Sequence, residues 1–103
     1  MSVSRVITLR VLPGRLDDFI NRLGEGKKIR ESAGFNVTFY RTVAGPESRT
    51  VLIITTADDW QQFGEITAKL EADASWQAFD RQLANDPVAE ELSTSIIEDF
   101  TLP

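Results

Sequence analysis

A chain of 103 residues, 42% of them apolar and 26% charged, has material for one folded domain. A domain this small buries only about two-thirds of its unfolded surface, so pairing with a second copy would help stabilise it. The net charge of −5 argues against nucleic acid and anionic membrane as partners, because both require a basic face.

Cysteine and histidine are both absent. That removes disulfides, thiolate nucleophiles, Ser-His-Asp machinery, ordinary zinc sites and histidine-ligated haem. No cofactor or metal is expected, and acid–base work would fall to Asp, Glu, Tyr, Lys or Arg. The opening MSVSRVITLRV lacks the basic segment and apolar core of a signal peptide. No stretch approaches the ~20 apolar residues of a membrane span. A reducing, cytoplasmic setting is expected from the lack of cysteine.

Residues 5–11, RVITLRV, alternate, with Ile7, Leu9 and Val11 on one face and Val6, Thr8 and Arg10 on the other. Pro13-Gly14 ends this strand. Leu16, Phe19, Ile20 and Leu23 then recur at helical spacing, with Asp17 and Asp18 in the first turn. Gly24 and Gly26 weaken this helix by ~1 kcal/mol each relative to alanine. Ile29 falls off the stripe, so a bend or register change is expected near the glycines. Lys27, Lys28 and Arg30 suit the last turn, and Gly34 the stop.

GFNVTFYRTVA, residues 34–44, alternates again. Phe35, Val37, Phe39, Arg41 and Val43 share one face; Asn36, Thr38, Tyr40 and Thr42 share the other. GPES, residues 45–48, reads as a turn, and RTVLIITT, residues 49–56, as a central strand covered on both faces. The two make a hairpin. Thr56, Asp58 and Asp59 offer helix N-caps. Trp60, Phe63, Thr67 and Leu70 form the next stripe; after EADAS, Trp76, Phe79 and Leu83 form another, stopped at Asn85–Pro87. STSIIEDF, residues 93–100, reads as the last strand, and PVAEELS before it as a short helical turn.

The order strand, helix, strand, strand, helix, strand predicts an α+β, ferredoxin-like fold over 1–103, with helices on one face of an antiparallel sheet. The face with Ile7, Leu9, Phe35, Val37 and Phe39 suits the helices. The opposite face carries Thr8, Asn36, Thr38 and Tyr40, plus either Val51/Ile53 or Leu52/Ile54. It is too apolar for open water and too polar for a dry core. A homodimer that packs this face on its own copy, with a partly polar cavity between the sheets, resolves the conflict.

VLPGRLDDF, YRTVAGPESRTVLI, DDW and ADASWQAF, in that order, resemble the NIPSNAP-like proteins of the dimeric α/β-barrel superfamily. The superfamily also holds antibiotic-biosynthesis monooxygenases and haem-degrading monooxygenases. The resemblance spans about Arg5 to Phe100 and implies paired ferredoxin-like subunits sharing a barrel. The haem-degrading scheme needs an asparagine and a tryptophan where Ile7 and Thr56 stand, and a histidine that is absent. The resemblance therefore does not extend to haem degradation. The polar helpers of the cofactor-independent monooxygenases have counterparts by residue type in Asn36, Trp60, Tyr40 and Arg10.

Candidate ligand-binding residues are thus Tyr40, Asn36, Thr38, Thr8, Arg10 and Trp60, with no catalytic residue assigned. Each has a plainer alternative. Trp60 and Trp76 sit at core spacing in helical stripes. Tyr40 and Asn36 also fit the wet side of an antiparallel sheet. Arg10 and Arg41 fit solvated strand ends, and Asp58-Asp59 fit a helix cap. Glu98 and Asp99 alternate faces, so at most one enters a cavity. Gly24 and Gly26 lie inside a helix and make no phosphate loop. The expected function is binding of a small apolar or aromatic ligand between sheet and helices, in one form as a cofactor-independent monooxygenase-like enzyme. The alternative is a non-catalytic ligand-binding or assembly protein.

Overall fold

The computed structural model describes residues 1–46 and 49–102. Strand β1 (Val3–Val11) leads to helix α1 (Leu16–Ala33), strands β2 (Asn36–Arg41) and β3 (Thr50–Ala57), helices α2 (Trp60–Glu71) and α3 (Ala74–Asn85), and strand β4 (Ala89–Glu98). The four strands form one antiparallel sheet in the order β2-β3-β1-β4, with the expected ferredoxin-like connectivity. The turn expected at 45–48 lies partly outside the described residues, at Glu47 and Ser48.

Local chemistry sets the boundaries. Gly14 has φ 76°, a left-handed conformation that glycine adopts without penalty, so the chain turns at once from β1 into α1. At the far end of α1, Gly34 has φ 120°. Its N–H donates to the Glu31 carbonyl, and the Phe35 N–H donates to the Arg30 carbonyl. This is the Schellman pairing that satisfies orphan carbonyls. Asp59 caps α2 by accepting from the Gln62 N–H at 2.7 Å, while the Gln62 side chain accepts from the Asp58 N–H at 2.6 Å. Asp73 caps α3 by accepting from the Trp76 N–H at 2.9 Å.

Register decides the faces of the sheet. Ile7 pairs with Ile53, and Phe39 with Ile53; Thr8 pairs with Leu52, and Tyr40 with Leu52. Directly opposed residues share a face, so Leu52 and Ile54 lie on the uncovered face and Val51 and Ile53 face the helices. The core gathers Val3, Phe35, Val37, Ile53, Ala57, Phe63, Ile66 and Leu70 between sheet and helices, with Phe35 and Phe63 rings 5.5 Å apart.

α1 is one helix from Leu16 to Ala33, and Gly26 marks a close crossing: a Cβ there would lie 3.1 Å from the Phe79 ring of α3. Two expectations are corrected. β4 begins at Ala89, so the segment read as a helical turn is strand. It is drawn onto β1 by the Leu12 N–H, which donates to the Val88 carbonyl at 2.9 Å. A bulge hides the alternation: Thr8 pairs with Ser93 and Leu9 with Glu91, leaving Leu92 as the extra residue. Val43 lies beyond β2 and is exposed.

Candidate functional site

Below the helices, the sheet and its cover do not close completely. A cavity of about 220 Å³ remains between β1, β3 and the early part of β4 on one side and α1 and α3 on the other. Ile7, Leu9 and Ile53 form its floor. Phe19, Arg22, Leu23 and Arg30 descend from α1, and Phe79 and Leu83 from α3. Pro87, Val88, Ala89 and Glu91 complete the rim. All lining residues except Arg22, Arg30 and Glu91 are apolar, the usual make-up of a small-molecule site.

The α1 contributors stand at positions 19, 22, 23, 26 and 30, a single inward stripe of the helix. Gly26, without a side chain, lets Phe79 of α3 come close and leaves a notch beneath it. Arg30 folds back over this notch. Its Nη1 lies 2.8 Å from the point where a Gly26 Cβ would sit, and its guanidinium stacks 4.8 Å from the centre of the Trp76 ring. Trp76 and Phe79 lie 5.6 Å apart and form the aromatic wall behind it. Burial, and then the charge of Arg5, pull the Arg30 pKa down to about 10. Arg30 is therefore still charged at neutral pH.

Arg22 is in a different situation. It is 9% exposed, and its Nη2 donates to Asp86 Oδ2 at 2.8 Å while its Nη1 donates to the Asp86 carbonyl. Arg15 reaches the same carboxylate with both terminal nitrogens, at 2.9 and 3.0 Å, and its Nε donates to Asp18. Hydrogen bonding from Arg15, aided by Arg22, holds the Asp86 carboxyl below the usual range, and Asp86 with Asp18 raises the Arg15 guanidinium above its own. Asp86 thus latches the end of α3 to α1, and the latch fixes Pro87 and Val88 at the cavity rim.

None of the six residues singled out from the sequence lines this cavity. Tyr40, Asn36, Thr38, Thr8 and Arg10 do share the uncovered sheet face, where Tyr40 is 56% exposed and the Ser4 and Thr56 hydroxyls bond at 2.7 Å. Arg10 also borders a broad, shallow concavity with Leu16 and Arg41. Trp60 is on neither the uncovered face nor in the core. It is 53% exposed at the start of α2, edge-on to Phe63, with its Nε1 donating to Glu98 at 2.7 Å. Sequence reading missed Arg22 and Arg30, although their place on the Phe19/Leu23 stripe marked them: arginine on an inward stripe is out of keeping with a purely apolar core.

No family model matches the chain, and no curated protein matches it. Solved structures do. An uncharacterized NIPSNAP domain protein from Burkholderia xenovorans superposes with a TM-score of 0.73 at 20% identity, over 100% of this chain and 98% of that one. A NIPSNAP family protein with unknown function from Agrobacterium tumefaciens gives 0.71 at 21% identity, over 93% and 86%. A variant of SnoaB, a cofactor-independent oxygenase from Streptomyces nogalater, gives 0.70 at 15% identity, over 99% and 97%. At these identities the likeness is one of fold: the chain shares the ferredoxin-like fold of these NIPSNAP and oxygenase structures. Among the described residues, no helix is long and apolar enough to cross a membrane.

Proposed function

We propose that this protein binds a small apolar or aromatic molecule in the cavity between its sheet and its helices. The observation that carries the reading is the cavity itself, an apolar pocket with a guanidinium set into one wall. Its volume, about 220 Å³, falls just under the range of about 300–1,000 Å³ usual for drug-sized ligands, which suits a molecule of one or two rings. The test is thermal unfolding in the presence of a panel of small aromatic compounds, run in parallel on a Leu83→Trp variant whose larger side chain fills the space. A ligand at one hundred times its Kd adds about 2.7 kcal/mol of stability. Compounds that raise the Tm of the natural protein and not of the variant support the reading. Equal shifts in both, or none, sink it.

A catalytic form of the same reading is favoured by the shared fold with a cofactor-independent oxygenase. In that form O2 oxidises a bound phenol-like substrate with side chains alone to assist: one oxygen atom enters the substrate, and the other leaves as water with two hydrogens that the substrate gives up. Oxygen uptake on mixing with each binding compound separates it from simple binding. The chain would act as a homodimer, because the uncovered face sets Val6, Leu52 and Ile54 among hydroxyl and amide side chains. The candidate residues Tyr40, Asn36, Thr38, Thr8 and Arg10 then belong to the space between subunits. Light scattering that finds twice the 11.5 kDa chain mass supports this, and a monomer at micromolar concentration rejects it.

A further inference from the structure

The two arginines in the cavity wall differ in one respect that bears on the ligand. Arg22 spends its charge on Asp86. Among the described residues, no carboxylate lies within ion-pair distance of Arg30. The other charge that acts on it is a cation, Arg5, which stands over the Phe63 ring at 5.2 Å. Glu91, the one acid in the lining, is exposed on β4 and makes no ion pair with it. The face of the Trp76 ring attracts the guanidinium without neutralising it or filling its five donors. A largely buried cation lacking a counter-charge is costly, and removing its partner from an otherwise buried pair is strongly destabilising. The glycine at position 26 makes the arrangement possible, since any side chain there would collide with the Arg30 guanidinium.

We infer that the molecule this cavity takes is an organic monocarboxylate, its apolar body against Ile7, Leu9 and Leu83 and its carboxylate paired with the guanidinium of Arg30. A planar guanidinium offers two parallel N–H donors that match the two oxygens of a carboxylate. The apolar remainder of the wall disfavours a phosphate or a sugar, whose other oxygens would find no donors. The inference rests on the ligand-binding reading above and adds the charge of the ligand to it. It also accounts for a positive site inside a protein whose net charge is −5.

Calorimetric titration with 1-naphthoate and with 1-naphthamide, matched in shape and different in charge, tests it on the natural protein and on Arg30→Gln and Arg30→Met. Arg41→Gln, which removes a surface cation outside the cavity, is the control. The natural protein and the control are expected to bind the acid about ten- to a hundredfold more tightly than the amide, the worth of a hydrogen bond to a charged group. Both Arg30 variants are expected to lose that preference while binding the amide nearly unchanged. Equal binding of acid and amide by the natural protein, or a preference that survives in a folded Arg30 variant, overturns the inference and leaves the ligand-binding reading standing. Binding of neither compound overturns both.

Discussion

The two faces of the one sheet have been solved differently by the same strands. On the covered face, Val37, Ile53 and Ala57 are buried beneath three helices, and the few charges there are held by partners or by rings. On the uncovered face, Val6, Leu52 and Ile54 alternate in space with Ser4, Thr8, Thr38 and Asn36, and among the described residues no helix packs over them. Alternation with a period of two lets a strand serve both surfaces at once. An apolar residue on a strand therefore does not by itself indicate the interior of its own subunit. β3 is apolar on both sides: Val51 and Ile53 turn toward the helices, and Leu52 and Ile54 supply the apolar part of the face on which the proposed homodimer rests.

The largest effect is expected on the uncovered face. Leu52→Arg places a charge where the proposed twofold contact buries it, at a cost of about 3–5 kcal/mol of association. Light scattering should show the mass fall to that of one chain while circular dichroism stays unchanged. A variant that remains dimeric would separate the uncovered face from assembly. On the covered face, Phe79→Ala removes the ring that closes α1 on α3, and denaturant unfolding should show a loss of about 3–5 kcal/mol.

A smaller effect distinguishes two glycines of the same helix. Gly24→Ala meets open space and should gain up to about 1 kcal/mol from helix propensity. Gly26→Ala crowds Phe79 and Arg30, and overpacking of about 1–3 kcal/mol should offset that gain or exceed it. Opposite signs in urea unfolding confirm the close crossing, and equal gains remove it.

The smallest expected effect is at the Asp86 latch, which is exposed. Its carboxyl titrates below the usual range when folded, so the unfolded chain takes up the proton first. The contribution of the latch is full above about pH 4 and is lost as pH falls through the folded value. Asp86→Asn should flatten the acid limb of a stability–pH profile and leave the limb above neutrality unchanged.

Much of this fold was legible in the sequence because its signals are local. Alternation in 34–44, the stripes at Phe63 and Phe79, and Gly34 and Asp59 at helix ends each depend on neighbours a few residues away. The lining of the cavity was not legible. It depends on a gap between Arg30, Phe79 and Val88, three residues brought together only by the packed fold. Arg30 was read as a cation suited to the helix C-terminus, and Gly26 as a local weakness. Both readings are correct for an isolated helix, and both change once α3 lies across it. β4 was read too short because Pro87, two glutamates and the bulge at Leu92 obscure its alternation.

The extra residue at Leu92 has a consequence for how proteins of this fold could diversify. Downstream of it the even-numbered residues of β4 look toward the helices, and upstream of it the odd-numbered ones do, which is how Ala89 and Glu91 come to border the cavity. Sliding the irregularity by a few positions would exchange them for Glu90 or Leu92 with no residue replaced. The chemical character of this wall is thus adjustable by phase as well as by substitution, and relatives that differ there in length should differ in what they hold.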